Sequence, residues 1–286
     1  MTKTPEELQQ EQAEYWDGEG GDTWLDNYDA IEQSLVGFQD IAIEAAAPAP
    51  GETVIDIGCG TGGTTQALAE KIAGDGHAMG VDISNLLIDT ARERAAAAGV
   101  TNATFEVADA GSFPFKAGSA DLLFSRFGVM FFGDPYGAFA NLHKALKPTG
   151  RMTFVCWQEI AKNPFFTVPL FAAFSILEPP ARPEPRLPGP FAFAEDEYVK
   201  DILAKAGFNN IDIQARELVL TRKVEGDLER TAEFFMKVGP VKRLLEGHPD
   251  GTVEKVRAAI AEALSSYAED GKVSLPGAVW LVQATA

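Results

Sequence analysis

Short apolar runs alternate with segments of helical periodicity through the first half of the chain. The first run, Thr53 to Ile57, is β-branched and apolar on both faces, which is typical of a strand buried in a parallel sheet. Strands separated by helices imply right-handed βαβ units. The pattern therefore predicts an α/β fold, a three-layer sandwich around a mostly parallel sheet. Five strands are expected in this part, at 53–57, 77–82, 103–107, 120–126 and 151–157.

The segments before and after this region have different sequence patterns. Residues 5–47 have helical periodicity, interrupted by a glycine-rich, aromatic stretch from Tyr15 to Trp24. Eight of the 17 prolines fall between Pro164 and Pro190, so no regular strand or long helix is expected there. Two further strands, at 210–220 and 278–284, are separated by amphipathic helices. The predicted organisation is an N-terminal helical cap (1–50), a core (51–157), a proline- and aromatic-rich segment (158–194), and the rest of the core with a helical insertion (195–286, insertion 226–270).

A glycine-rich turn, Gly58 to Gly62, follows the first strand and precedes a helix. Glycines let the backbone approach a ligand closely, and the helix that follows presents free N–H groups. Gly58, Gly60 and Gly63 also fit the GxGxxG spacing of dinucleotide sites. The turn alone therefore predicts a nucleotide-type ligand and leaves its identity open.

Acidic residues at strand ends narrow the choice of ligand. Asp56 precedes the first glycine by two residues, where a carboxylate would oppose a pyrophosphate by about 1 kcal/mol or more. A ligand with an ammonium, a sulfonium and no phosphate, such as S-adenosylmethionine, suits that position. Asp82 ends the second strand, where it can accept from ribose hydroxyls or cap a helix. Asp109 follows the third, where it can accept from an adenine amino group or shape a turn.

The segment 54–62 resembles motif I of the class I, Rossmann-like, S-adenosylmethionine-dependent methyltransferases. The segment 80–84 resembles their acidic segment, 108–110 their adenine loop, 121–127 their fourth strand, and 138–151 their passage into the fifth. The likeness covers about 52–157 and is closest to the ubiquinone/menaquinone-biosynthesis and small-molecule branch.

The resemblance implies a seven-stranded sheet with an antiparallel last strand, and it implies site residues. Asp56 would lie near the methionine ammonium. The other residues implied to bind the cofactor are Gly58, Gly60 and Gly62 at the methionine and ribose, Asp82 at the ribose, Ile83, Asp109 and Ala110 at the adenine, Arg126 and Phe127 near the sulfonium, and Trp24, with Tyr15 and Trp16, on a helix that closes over the methionine end. For these last aromatic residues, simple helix packing is the alternative.

Fourteen of the 19 phenylalanines lie between Phe113 and Phe193. This region overhangs the sulfonium in the related fold, so the phenylalanines predict an aromatic-lined pocket for a small acceptor. Simple core packing is the alternative. The candidate substrate residues are Met130, Phe131, Phe165 and Phe166. No metal site and no particular catalytic residue is predicted.

Charge and cysteine content limit the partners. The net charge is −18 without a basic stripe, which argues against nucleic acids and anionic membranes. Two cysteines without a disulfide pattern, and no signal-like or membrane-spanning run, favour the cytoplasm. The insertion allows an added substrate cover or a homodimer contact.

The predicted function is methyl transfer from S-adenosylmethionine, leaving S-adenosylhomocysteine, to a small apolar or aromatic acceptor. The acceptor atom, O, N, C or S, stays open, and the methyl group moves by in-line displacement. Two alternatives remain: an NAD(P)-dependent oxidoreductase and a non-catalytic S-adenosylmethionine-binding protein.

Overall fold

The computed structural model describes residues 3–181, 184–224 and 226–286. Its sheet has the strand order β3-β2-β1-β4-β5-β8-β6, and β7 pairs with β8. The strands are β1 Thr53–Ile57, β2 His77–Asp82, β3 Ala103–Val107, β4 Ala120–Arg126, β5 Leu146–Trp157, β6 Asn209–Lys223, β7 Ala268–Glu269 and β8 Lys272–Thr285. The helices are α1 Pro5–Trp16, α2 Glu19–Asp26, α3 Tyr28–Ala46, α4 Gly63–Ile72, α5 Asn85–Ala97, α6 Pro135–Ala145, α7 Pro164–Phe174, α8 Asp196–Ala206, α9 Leu228–Lys237, α10 Pro240–Leu245 and α11 Asp250–Ser265.

The sheet is mostly parallel. Strand β1 pairs in parallel with β2 and β4, β2 with β3, and β4 with β5. Strand β8 is antiparallel to both β5 and β6. The seven-stranded sheet with an antiparallel last strand is thus confirmed, and the two-residue β7 is an addition at its margin. Because the chain moves outward in one direction from β1 to β3 and in the other from β4 to β5, a crevice forms between the carboxyl ends of β1 and β4.

Helices cover both faces of the sheet. Asp56 in β1 is in register with Phe124 in β4, so both side chains share a face. Asp56 binds α4 on that face, and Arg126, two residues beyond Phe124, binds α3. On the other face, Phe139 of α6 packs against Phe154 of β5 with ring centroids 5.8 Å apart. The predicted three-layer sandwich is confirmed.

The prediction that the helical path is interrupted from Tyr15 to Trp24 is wrong for most of this segment. Helix α2 forms across it, and only Asp17–Gly18 breaks the helical path. The glycines are needed for packing, because a Cβ on Gly20 would overlap the Tyr15 ring and one on Gly21 would overlap the Trp16 carbonyl. Close contact between α1 and α2 explains the glycines better than a loop does.

Helix α7, of 11 residues, forms at the start of the proline-rich stretch, whereas the described residues 175–181 and 184–190 contain neither helix nor strand, as expected. Pro164 is tolerated at the first helical position, where its missing N–H would be unpaired in any case. Pro169 lies inside the helix and is buried, as are Phe165 and Phe166, so tertiary packing offsets the lost hydrogen bond. Strand β5 also begins earlier than predicted, at Leu146.

The predicted insertion contains three helices, α9, α10 and α11, between the long strands β6 and β8. Both strands exceed their expected bounds, reaching Lys223 in β6 and beginning at Lys272 in β8. These two residues are paired in register. In the described residues, none of the helices combines the length and the apolar character needed to cross a bilayer.

Candidate active site

The glycine turn lies in the crevice between β1 and β4. Gly58 has φ +66°, and a Cβ there would lie 2.6 Å from the Cα of Gly128, so the loops after β1 and β4 meet backbone to backbone. Gly62 has φ +78°, and its Cβ would lie 2.7 Å from the Phe105 ring. Gly60, at φ +54°, has no heavy atom within 4 Å of the same position. Two of these glycines therefore serve packing within the protein, and Gly60 alone leaves open space for a ligand.

Asp82 connects the turn to the end of β2. The Gly60 N–H donates to its Oδ2 at 2.8 Å, and the Ser84 N–H donates to its Oδ1 at 3.0 Å. Burial raises the pKa of Asp82, while these N–H donors oppose the increase. Ser84 is the residue that caps α5, since its Oγ accepts from the Leu87 N–H at 3.2 Å. The alternative of Asp82 as a helix cap is therefore wrong. Each of its carboxylate oxygens accepts one of these N–H bonds and has the capacity to accept another. Ile83 follows it, half-buried.

Asp56 lies near the carboxyl end of β1, one residue before its last, Ile57, and its side chain is only 1% exposed. The Thr65 hydroxyl donates to its Oδ2 at 2.7 Å, and its Oδ1 has no hydrogen-bond partner among the described residues. Burial raises the pKa of Asp56 to about 7. A carboxyl group with that pKa is only partly ionised at neutral pH. The expectation that its charge faces the ligand and excludes a phosphate is therefore weakened.

Asp109 shapes its own turn, and this alternative is confirmed. Its Oδ1 accepts from the Gly111 N–H at 2.9 Å, and its Oδ2 accepts from the Ser112 hydroxyl at 2.8 Å. Gln9 of α1 also donates to Oδ1 at 3.2 Å, and the Gln9 Oε1 accepts from the Gly133 N–H at 2.7 Å. Helix α1 thus spans the loops after β3 and β4. Ala110 is buried next to Asp109.

Arg126 and Phe127 lie at the end of β4. The Arg126 guanidinium binds both carboxylate oxygens of Glu32 in α3, at 2.9 and 2.5 Å. This pair is largely buried, so the predicted sulfonium region carries a neutralised cation rather than a free one. Phe127 has φ +65°, a backbone conformation rare for non-glycine residues and concentrated at functional sites. Its ring stacks on Trp157 with centroids 4.4 Å apart.

The predicted aromatic residues fall into two clusters. Trp24 and Phe131 both contact Trp16 edge to face, with centroids at 6.1 and 5.2 Å. Phe166 contacts Trp157, which carries the stack with Phe127. The structure thus places Trp24 with Phe131 and Phe166 with Phe127.

Two of the candidate substrate residues are buried in the core and do not line a pocket. Met130 is only 1% exposed and belongs to the core. Phe165 is also buried and packs against Phe235, with centroids 5.3 Å apart. For these two, core packing accounts for the side chain.

Three important side chains were not found from the sequence: Gln9, Glu32 and Trp157. Glu32 lies 94 positions from Arg126 and Gln9 lies 100 positions from Asp109. No local pattern signals such pairs. Trp157 was identified only as the end of a strand.

A switch in strand order between β1 and β4, a turn with one glycine whose Cβ position is open, and a carboxylate at the end of the neighbouring strand define a Rossmann-like cofactor site. A family model described as a methyltransferase domain matches residues 48–167. Aklanonic acid methyltransferase DauC of Streptomyces sp. (strain C5) is 30% identical over 205 residues, which is 72% of this chain and 77% of that protein. The chain therefore belongs to the S-adenosylmethionine-dependent methyltransferases, enzymes that use S-adenosylmethionine as methyl donor.

Other proteins are similar over less of their length. Demethylmenaquinone methyltransferase of Symbiobacterium thermophilum is 29% identical over 57% of this chain and 63% of its own. Several further curated relatives are matched over only 23% to 35% of their length. The solved phosphoethanolamine N-methyltransferase 2 of Haemonchus contortus, in complex with S-adenosyl-L-methionine, has TM-score 0.53 and 18% identity over 87% of this chain and 52% of that one. At that identity the likeness concerns the fold.

Proposed function

We propose that this chain transfers the methyl group of S-adenosylmethionine to a small acceptor with an apolar or aromatic body. The observation that supports this most directly is the pairing of Gly60 with Asp82. The turn is held by the carboxylate, and its outer side is open where a cofactor must approach. The Oδ1 of buried Asp56, which has no hydrogen-bond partner among the described residues, adds a polar atom suited to a cationic ligand nearby. The residues present therefore fit the cofactor.

Each candidate residue has a proposed task. Asp82 accepts from the ribose hydroxyls with Ile83 beside the adenine, and Asp109 and Ala110 border the adenine edge. Arg126, held by Glu32, and Phe127 border the methionine end. The remaining proposed cofactor contacts are Asp56, Gly60 and Trp24, while Gly58 and Gly62 hold the turn in shape by packing within the protein.

S-adenosylmethionine supplies an electrophilic methyl group on a sulfonium, which is already a good leaving group. The task of the protein is therefore to align the acceptor and exclude water. Helices α1 and α2 of the proposed cap (1–50) contribute Trp16 and Trp24 to the first aromatic cluster, and the proposed lid (158–194) contributes Phe166 to the second. These side chains would do this together with Phe131, Phe127 and Trp157. Aromatic faces also attract a sulfonium. Two relatives named above are methyltransferases of small molecules, aklanonic acid and demethylmenaquinone, which supports an acceptor of that class.

Calorimetric titration with S-adenosylmethionine, S-adenosylhomocysteine and NAD tests the cofactor assignment. Both sulfur ligands should bind and NAD should not. Asp82→Ala should weaken binding by about a hundredfold, because charge-assisted hydrogen bonds are lost. Asp89→Ala, an exposed position on α5, is the matched control. An unchanged affinity for Asp82→Ala would place the ribose elsewhere.

Transfer itself needs a separate assay, because a non-catalytic protein would also bind the cofactor. Incubation with methyl-labelled S-adenosylmethionine and a metabolite extract should label a small molecule. Tight cofactor binding without label in any fraction would favour the non-catalytic alternative. NAD binding with no affinity for the sulfur ligands would favour the oxidoreductase.

The cytoplasmic location and the homodimer are part of the proposal. Cys59 and Cys156 are both free and buried, and burial raises the pKa of each thiol, which suits a reducing compartment. The insertion 226–270 is the surface where a second copy would add contact. Cell fractionation tests the cytoplasmic location, and sedimentation analysis tests the homodimer. A monomer at all concentrations would refute the homodimer.

A further inference from the structure

A strongly basic cavity of about 310 Å³ lies outside the cofactor turn. Its volume is at the lower end of ligand pockets, sufficient for one anionic group with its water. Four cationic side chains line it, although the chain as a whole has net charge −18. The cations are Arg222, Lys223, Arg230 and Lys237.

One wall of the cavity is a face of α9. Arg230, Phe234 and Lys237 follow helical spacing, so they line one side of this helix along two turns, about 10 Å. Arg222 at the end of β6 places its guanidinium over the Phe234 ring, 4.0 Å from the centroid. This contact orients a planar donor at the cavity wall.

The two carboxylates in the lining do not balance these cations. Glu233 accepts from Arg257 of α11 at 3.3 Å, so part of its charge is used outside the cavity. Asp26, at the end of α2, is exposed. Within residues 3–181, 184–224 and 226–286, no ion pair engages Arg230 or Lys237. The cavity therefore has an excess of positive charge.

The cavity lies at the same edge of the sheet as the cofactor turn, because two of its lining residues, Arg222 and Lys223, end strand β6. Strand β6 runs parallel to β5, because both are antiparallel to β8. Trp157, the last residue of β5, and Arg216 of β6 both pair with Val279, and β6 continues beyond that level to Lys223. The carboxyl end of β6 therefore projects above the edge where β1 and β2 end.

The N-terminal helices connect the basic cavity with the cofactor turn. Asn27 lines the cavity, and the next residue, Tyr28, begins α3. The Tyr28 hydroxyl lies 3.4 Å from the position that a Cβ on Gly63 would take, so this side chain reaches the start of α4 beside the turn. A molecule that extends from the cavity past α3 would approach the cofactor crevice.

From this placement we propose that the cavity binds an anionic group, a carboxylate or a phosphate, of the methyl acceptor. The proposal rests on the proposed methyl transfer. Guanidinium and ammonium groups suit both anions, and a local excess of cations offsets the repulsion that a protein of charge −18 exerts on an approaching anion. The acceptor then has an apolar or aromatic body and one anionic end.

Anion binding is measured directly with inorganic phosphate and with acetate, by equilibrium dialysis of labelled ions. The wild-type chain should bind at least one of them, and Arg230→Glu/Lys237→Glu should bind about tenfold more weakly or worse. Lys200→Glu/Lys255→Glu makes the same change of charge on exposed faces of α8 and α11 and should bind like wild type. Equal binding by wild type and both double variants would overturn the proposal.

The identity of the anion as part of the acceptor needs an activity assay. A metabolite extract is divided by anion exchange, and each fraction is incubated with methyl-labelled S-adenosylmethionine. The retained, anionic fraction should yield the labelled product. Arg230→Glu/Lys237→Glu should reduce its formation about tenfold or more, with the affinity for S-adenosylmethionine unchanged in calorimetry.

The outcomes separate the two proposals. Label only in the unretained fraction, or undiminished labelling by Arg230→Glu/Lys237→Glu, would overturn the acceptor subsite and leave methyl transfer standing. Failure of the wild-type chain to bind S-adenosylmethionine or to label any fraction would instead refute the proposed function. In that case the dialysis result alone decides whether the cavity binds anions.

Discussion

Replacing Asp56 with asparagine should remove a pH dependence of stability that the wild-type chain carries. The carboxyl group is 1% exposed, and burial raises its pKa from 3.8 to about 7. The folded chain holds the proton of Asp56 more tightly than the unfolded chain does. The contribution of this proton to the stability of the folded chain is therefore complete below about pH 4. It declines as the pH rises and is lost above about pH 7. Asparagine does not titrate and lacks this decline.

The size of the effect follows from the shift. A change of about three pKa units corresponds to about 4 kcal/mol over the whole range, and about 2 kcal/mol of it falls between pH 5.5 and pH 8. The difference in unfolding free energy between Asp56→Asn and wild type should therefore move by about 2 kcal/mol in favour of the variant over that interval. A constant offset from the new amide group does not affect this slope.

Urea denaturation followed by circular dichroism at pH 5.5, 6.5 and 8 measures the difference. Asp75→Asn, an exposed turn position, is the control and should follow wild type in parallel. Parallel curves for Asp56→Asn and wild type would show that Asp56 is ionised throughout, and the account of its burial would be wrong. A second titration adds the cofactor. If a cation binds nearby, S-adenosylmethionine should bind more tightly at pH 8 than at pH 5.5 and release protons on binding.

The remaining predictions concern the turn and the N-terminal helix. Gly58→Ala should lower the unfolding free energy by about 2 to 4 kcal/mol, because its Cβ would overlap Gly128, whereas Gly60→Ala should cost about 1 kcal/mol in thermal melts and mainly weaken S-adenosylmethionine binding. Equal destabilisation by the two would contradict the assignment of Gly60 to the ligand side. Gln9→Ala should detach α1 from Asp109, raising the KM for S-adenosylmethionine several-fold and exposing residues near the N-terminus to protease, with Gln10→Ala as the neighbouring control. Unchanged proteolysis would show that α1 is held by other contacts.

Much of the fold could be predicted from the sequence, because strands and turns leave patterns among residues that are adjacent in the chain. The run Thr53–Ile57 matches β1 residue for residue, as do the predicted second, third and fourth strands. Strands buried on both faces need apolar residues, and turns need glycine, so both leave clear marks along the chain. Helix α2 was missed because its glycines serve contact with α1, and that partner is invisible to a local pattern.

The site could be predicted only in part, because some of its side chains depend on partners that are far away in the sequence. Position along a strand placed Asp82 at the sheet edge correctly, whereas the direction and environment of Asp56 depend on α4 and Thr65. Met130 belongs to an apolar run that suits a pocket wall and a core equally, and burial decides for the core.

The sequence by itself determined the class of fold, the family and the location of the cofactor turn, since these depend on residues adjacent in the chain. Only the tertiary structure decided which glycine faces a ligand, how far Asp56 is desolvated, which residue neutralises Arg126, and that Arg222 and Arg230 line one basic cavity. Each of these depends on distances between segments far apart in sequence. Electrostatic energies and packing are set by such distances and by burial, and a one-dimensional pattern does not contain them.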